Sequence, residues 1–167
     1  VAAGWGELAI VDVSDPEEPV RVGLCDTPGY AQDLWIEGPY AYVAGGSHLS
    51  IVDISDVANP EVVGEYGGAG DAKDVAVWQN QAYLAAGLAG VHSVDVSNPT
   101  SPRGTSVYEV LGMVPEVDVA DHYAYAATGE WRGLSVVDVS DPANPIEVET
   151  YSAVRSLLGL EVREGYL

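Results

Sequence analysis

Residues 9–19 read AIVDVSDPEEP, and residues 50–60 read SIVDISDVANP. Weaker copies follow as HSVDVSNPTSP at 92–102 and SVVDVSDPANP at 135–145. One phrase written four times sets a period of about 42 residues. Counted from the strand ahead of each phrase, the units run 1–41, 42–83, 84–124 and 125–167.

Each unit repeats the same events. A small-residue segment opens it, such as YVAGG at 42–46 or LAAG at 84–87. The VDVS segment and a Pro-containing turn follow, then a segment such as PVRVGL (19–24) or PEVVGEY (60–66). An irregular loop leads to a fourth segment: DLWIEG (33–38), DVAVWQ (74–79), EVDVAD (116–121) or GLEVRE (159–164). These segments are short, rich in β-branched and aromatic residues, and bounded by Gly, Pro, Asn and Asp, so they predict strands. No stretch holds apolar residues at helical spacing. Four strands per repeat of this length predict an all-β fold, a β-propeller of four-stranded blades within a single domain. A β-sandwich leaves the repetition unexplained.

The phrases AIVDVSDP, SIVDIS and SVVDVSDPANP, with AYVAGG ahead of one of them, resemble the LVIVD repeat family across essentially the whole chain. The third copy departs most, with His92 and Ser93 in the phrase. The resemblance implies a β-propeller of a bacterial or archaeal surface or secreted protein. It carries no defined catalytic motif, so no catalytic residue is transferred. It also implies a strand order, with the V-x-V segment innermost, the small-residue strand second, VDVS third and P-x-x-V-G outermost.

On that order the two ends are in phase. Joining the tail GLEVREGYL to the head VAAGWGELAIVD reproduces the spacing of DLWIEGPYAYVAGGSHLSIVD. A C-terminal inner strand joined to three N-terminal strands would complete one blade and leave no open edge. This is met by a four-bladed monomer, by an eight-bladed ring of two exchanging chains (a homodimer), or by a longer propeller chain. The many Ala, Gly and Val residues suit shallow angles between blades and point to more than four.

The charge narrows the partners. The chain carries 26 acidic and 6 basic residues, a formal charge of −20. Such a surface repels nucleic-acid phosphates and anionic membranes. No apolar run is long enough for membrane insertion, and no signal peptide is visible. The chain begins at Val1 without Met, which reads as a processed form, a piece or an incomplete sequence. Extracellular or cell-surface localisation is expected from the resemblance. Cys25 is the single cysteine, so no internal disulfide forms.

The phrase itself reads as architecture. Asp12, Asp53, Asp95 and Asp138 share one position, and Asp15, Asp56, Asn98 and Asp141 share another. Such side chains accept bonds from backbone N–H groups two or three residues on. The rival is a Ca²⁺ loop, but the spacing lacks the bidentate Glu of an EF-hand.

A binding site is expected where the units differ, in the loops between second and third strands and in those leading to each innermost strand. Candidates there are Trp5, Tyr30, His48, Trp131, Arg132 and Arg155. Loop Trp residues beside polar groups suit sugar stacking or a protein contact. Asp33, Asp74 and Glu116 stand at the mouths of three innermost strands and are the candidate ligands for a divalent cation such as Ca²⁺. The solvated acidic rim is the alternative. There is no nucleophile elbow, phosphate-binding loop or His-based metal spacing. The expected function is a non-enzymatic module that binds a protein or glycan partner and needs no cofactor. The alternative is a metal-dependent hydrolase or lyase with an acidic channel site.

Overall fold

The computed structural model describes residues 1–2, 4–129, 133–152, 157 and 159–163. The described residues form strands and turns with no helix. The first sheet pairs β1 (Glu7–Asp12) with β2 (Val20–Asp26). The second joins β3 (Ala31–Glu37), β4 (Tyr40–Asp53) and β5 (Glu61–Ala72). The third runs β6 (Asp74–Trp78), β7 (Gln81–Ala85), β8 (Val91–Asp95), β9 (Arg103–Tyr108). The fourth runs β10 (Glu116–Ala120), β11 (Tyr123–Thr128), β12 (Gly133–Asp138), β13 (Ile146–Tyr151).

Every pairing between these strands joins antiparallel neighbours in chain order, so each sheet is a meander. β4 doubles back at Gly46, which has φ 57°, and Ile54 N–H donates to the Pro39 carbonyl across the resulting hairpin. The second sheet therefore has the same four-stranded layout as the third and fourth. In the first, the small-residue strand is marked by a bridge between Ala2 and Leu8. The second, third and fourth sheets each start with the V-x-V strand of the preceding unit, so these sheets straddle the unit boundaries. Among the described residues, no sheet closes on itself.

The phrase strand carries a register shift at one equivalent place in all four sheets: Ile10/Val11, Ile51/Val52, Ser93/Val94 and Val136/Val137. A bulge there sharpens the local twist. The strand period of two sends alternate residues to the preceding and following blades. Three apolar layers result. Leu8 and Cys25 meet Val43, Val52 and Ile54. Tyr42, Leu49 and Ile51 meet Leu84, Val94 and Val96. Tyr83 and Val91 meet Ala126, Val137 and Val139. The core therefore lies between successive sheets, and one sheet alone cannot bury its faces.

At the outer rim, Gly23 and Gly64 lie against the carbonyls of Val57 and Pro99, so close that a Cβ would collide. Ser106 occupies the matching position one blade on, and its hydroxyl donates to the Pro142 carbonyl at 2.6 Å. The acceptor in each case is the second residue of the next blade's turn. The repeated phrase thus also supplies the contact between neighbouring blades.

Candidate functional site

The innermost strands hold a staircase of carboxylates. Asp33 Oδ2 accepts the backbone N–H of Val75 at 3.3 Å, 42 residues on. Asp74 Oδ2 accepts that of Val117 at 2.8 Å, 43 residues on. Asp118 Oδ2 accepts that of Val162 at 2.6 Å, 44 residues on. Each carboxylate thereby ties one inner strand to the next. The step then shifts by one side chain, because Glu116 lies against Gly159, where a Cβ would sit 3.3 Å from Glu116 Oε2. Asp118 takes the N–H instead.

Asp74 is largely buried, and burial raises its carboxyl to about 8. A hydrogen bond with Asp33 adds to the shift, as does the charge of Asp33 and of Glu116; the Val117 N–H opposes it. At neutral pH Asp74 therefore holds its proton. Asp33 and Glu116 thus both lie near enough to Asp74 to act on its carboxyl, Asp33 through a hydrogen bond. Among the described residues, no group of three His, Cys, Asp or Glu side chains is arranged to hold a metal ion.

The phrase turns are alike in all four units. Asp12, Asp53, Asp95 and Asp138 each accept the N–H of the Ser two residues on, at 2.8–2.9 Å. Asp15, Asp56, Asn98 and Asp141 each accept an N–H two residues on, at 3.0–3.3 Å. The N–H and hydroxyl of that Ser hold the first set of carboxyls below their ordinary range, the N–H leading at Asp12, Asp53 and Asp138 and the hydroxyl of Ser97 at Asp95. Their oxygens serve the backbone, as the sequence reading expects.

The variable face has a different character. Trp5 is 92% exposed, and its ring meets Tyr30 edge to face at 6.1 Å between centroids. Their loops are locked together: Thr27 N–H donates to the Gly6 carbonyl at 2.6 Å. Gly6 has φ 87°, and a Cβ there would stand 2.5 Å from the Gly29 carbonyl. Only glycine fits that junction. The aromatic pair is therefore held on a tight backbone seam that extends the β1/β2 ladder by one rung. Similar seams join Gly87 to Val114, at 3.0 and 3.2 Å, and Gly129 to Met113 at 2.8 Å. Leu88, Leu111 and Met113 project beside them. His48 is half-buried, with Nδ1 3.3 Å from Ser47 Oγ.

Trp131, Arg132 and Arg155 lie outside the described residues. Asp118 and the Gly23/Gly64/Ser106 rim contacts are not found by the sequence reading. The rim had a signal, since PVRVG and PEVVG place Gly at one offset from the closing Pro. Asp118 had none, because it is two positions past the repeated carboxylate.

Residues 1–27, 28–67, 69–109 and 111–153 each match the LVIVD repeat. No curated protein matches the chain.

Proposed function

The chain belongs to the LVIVD repeat family, and on that footing we propose that it is a non-enzymatic binding module of a surface or secreted protein, with the variable loop face as its binding surface. The observation that carries this reading is the Trp5–Tyr30 pair, exposed to solvent on a rigid seam. An aromatic ring left in water costs hydrophobic free energy that a ligand recovers. Fixed loops lower the entropy cost of binding. The charge of −20 favours a neutral glycan over an anionic ligand, with a protein surface as the alternative partner. In this reading the scaffold is a propeller ring, completed when an inner strand of the 159–163 type occupies the free edge of the first blade.

A glycan microarray probed with the labelled chain tests the reading. Saturable binding that Trp5→Ala and Tyr30→Ala each remove supports it. Binding that both variants retain overturns it for this face.

The raised carboxyl of Asp74, hydrogen-bonded to Asp33, favours a second reading, an acid–base or metal site in the channel. Calorimetric titration with Ca²⁺ and Zn²⁺ separates the two. Uptake lost in Asp33→Ala with Asp74→Ala supports the channel site, and the binding-module reading expects no saturable uptake.

A further inference from the structure

At the phrase-turn ends of the strands, the third and fourth sheets leave an open cleft of about 420 Å³, the size of a small-molecule site. Its walls include Trp78, Gln79 and Gln81 from the hairpin between β6 and β7, and His122, Asp138 and Ser140 from the fourth sheet. Trp78 shares a strand face with Asp74, whose carboxyl reaches the Val117 N–H of β10, so the half-buried indole is turned toward the fourth sheet. Gln81, opposite Trp78 in the hairpin, is fixed. Its Oε1 accepts the hydroxyls of Ser93 at 3.1 Å and Thr105 at 3.2 Å, which leaves its amide N–H groups as donors to the cleft. On the far wall the Val139 N–H donates to the His122 carbonyl at 2.8 Å and locks that hairpin to the phrase turn. Asp138 is ionised there, because the Ser140 N–H and hydroxyl hold its carboxyl below the ordinary range. The repeat departs from itself at this cleft. The pair Trp78–Gln81 has Glu37–Tyr40 and Ala120–Tyr123 as counterparts in the neighbouring sheets. Gln79 stands at φ 47° where the second sheet has Gly38 at φ 57°. A glutamine in that left-handed place forgoes the freedom of glycine and brings an amide to the cleft.

The cleft thus combines an apolar plate, a fixed donor and a fixed acceptor, and among the described residues no Lys or Arg side chain lines it. The Gln81 donor disfavours a cation. Asp138 and the formal charge of −20 disfavour an anion. A pyranose fits what remains: one face of C–H groups for the indole, and neighbouring hydroxyls that each donate and accept. We propose that this cleft binds a single neutral pyranose, stacked on Trp78, with its hydroxyls held by the Gln81 amide and the Asp138 carboxylate. Gln79, His122 and Ser140 stand on its walls as further hydrogen-bonding groups. Trp5 lies before the start of β1 and the phrase turns follow its end, so this site and the loop face are at opposite ends of the strands. The proposal does not rest on what the loop face binds.

Nuclear magnetic resonance of the full chain labelled with nitrogen-15 tests it. The chain has four Trp residues, and the indole N–H signal of Trp78 is the one absent from Trp78→Phe. D-Glucose, D-galactose and D-mannose are titrated separately to about 100 mM, with glycerol and choline as controls. At least one sugar is expected to shift the Trp78 signal saturably with a Kd of about 1–10 mM, and neither control is expected to do so. Gln81→Glu keeps the oxygen for Ser93 and Thr105 but removes the donor. Asp138→Asn keeps the Oδ1 acceptor for the Ser140 N–H but removes the charge. Each is expected to weaken binding of that sugar about tenfold. Trp5→Ala is expected to leave its affinity unchanged, which separates the cleft from the loop face. The proposal is overturned if no sugar shifts the Trp78 signal saturably, or if glycerol or choline shifts it as the sugar does. Affinity equal to that of the parent chain in both Gln81→Glu and Asp138→Asn, or binding abolished by Trp5→Ala, also overturns it.

Discussion

The carboxyl group of Asp74 is hydrogen-bonded to that of Asp33 in the neighbouring inner strand, while its Oδ2 accepts the Val117 N–H of the strand on the other side. One side chain therefore spans three successive inner strands. The bond between two carboxyls exists only while a proton is held between them.

This pair makes stability fall as pH rises. Burial and the Asp33 bond raise Asp74 to about 8 in the folded chain, against 3.8 for the ordinary group. The folded state holds a proton that the unfolded chain releases above pH 4. The contribution is full below pH 4 and is lost as pH rises through 8. Asp74→Asn keeps an acceptor for Val117 and supplies a permanent donor to Asp33. It is expected to raise stability at pH 8 by about 1–3 kcal/mol and to flatten the profile between pH 5 and 9. Urea unfolding across that range is the measurement. An unchanged slope contradicts the shared proton.

The phrase carboxylates act in the opposite sense. Asp53 and Asp138 are held below their ordinary range by Ser N–H bonds. Their contribution is present above pH 4 and is lost as pH falls through the lowered values. Asp53→Ala is expected to lower the thermal midpoint by about 2–4 °C at pH 7 and by less at pH 2.5. Differential scanning calorimetry at both values reads this.

The outer rim predicts a steric effect. Gly64→Ala drives a Cβ into the Pro99 carbonyl and is expected to cost about 1–3 kcal/mol. Ser106→Ala loses one hydrogen bond to Pro142 and is expected to cost about 1 kcal/mol. Denaturant midpoints of both variants check the ranking.

Much of the architecture is legible because each element is short and written four times. The Asx turns follow from Asp and Ser offsets that any one copy shows. The staircase is only half legible. Asp33 and Asp74 align in sequence and also in space, but a carboxylate at a strand mouth gives no sign of whether its partner is a cation or the next strand's N–H. Exposure was also hidden. Trp5 is the kind of residue that usually packs against a neighbour, yet it projects from the loop whose next residue, Gly6, is pressed against Gly29.

A buried hydroxyl offers another check. Tyr83 Oη is buried beside the Ser93 hydroxyl but makes no well-formed hydrogen bond among the described residues, and Tyr83 lines a cavity of about 10 Å³ between the third and fourth sheets. That volume is at the lower limit for one water. Tyr83→Phe removes the unpartnered group and is expected to raise stability by about 1 kcal/mol. A loss of stability on urea unfolding means that a bound water satisfies the hydroxyl.

The central claim is a division of labour, in which repeated residues build the blades and the variable face binds. The most direct test is the affinity of Trp5→Ala for the strongest glycan found on the array, measured by calorimetry beside the parent chain. The account predicts a loss of at least about 30-fold, equivalent to about 2 kcal/mol, with the thermal midpoint unchanged. Affinity equal to that of the parent chain contradicts it.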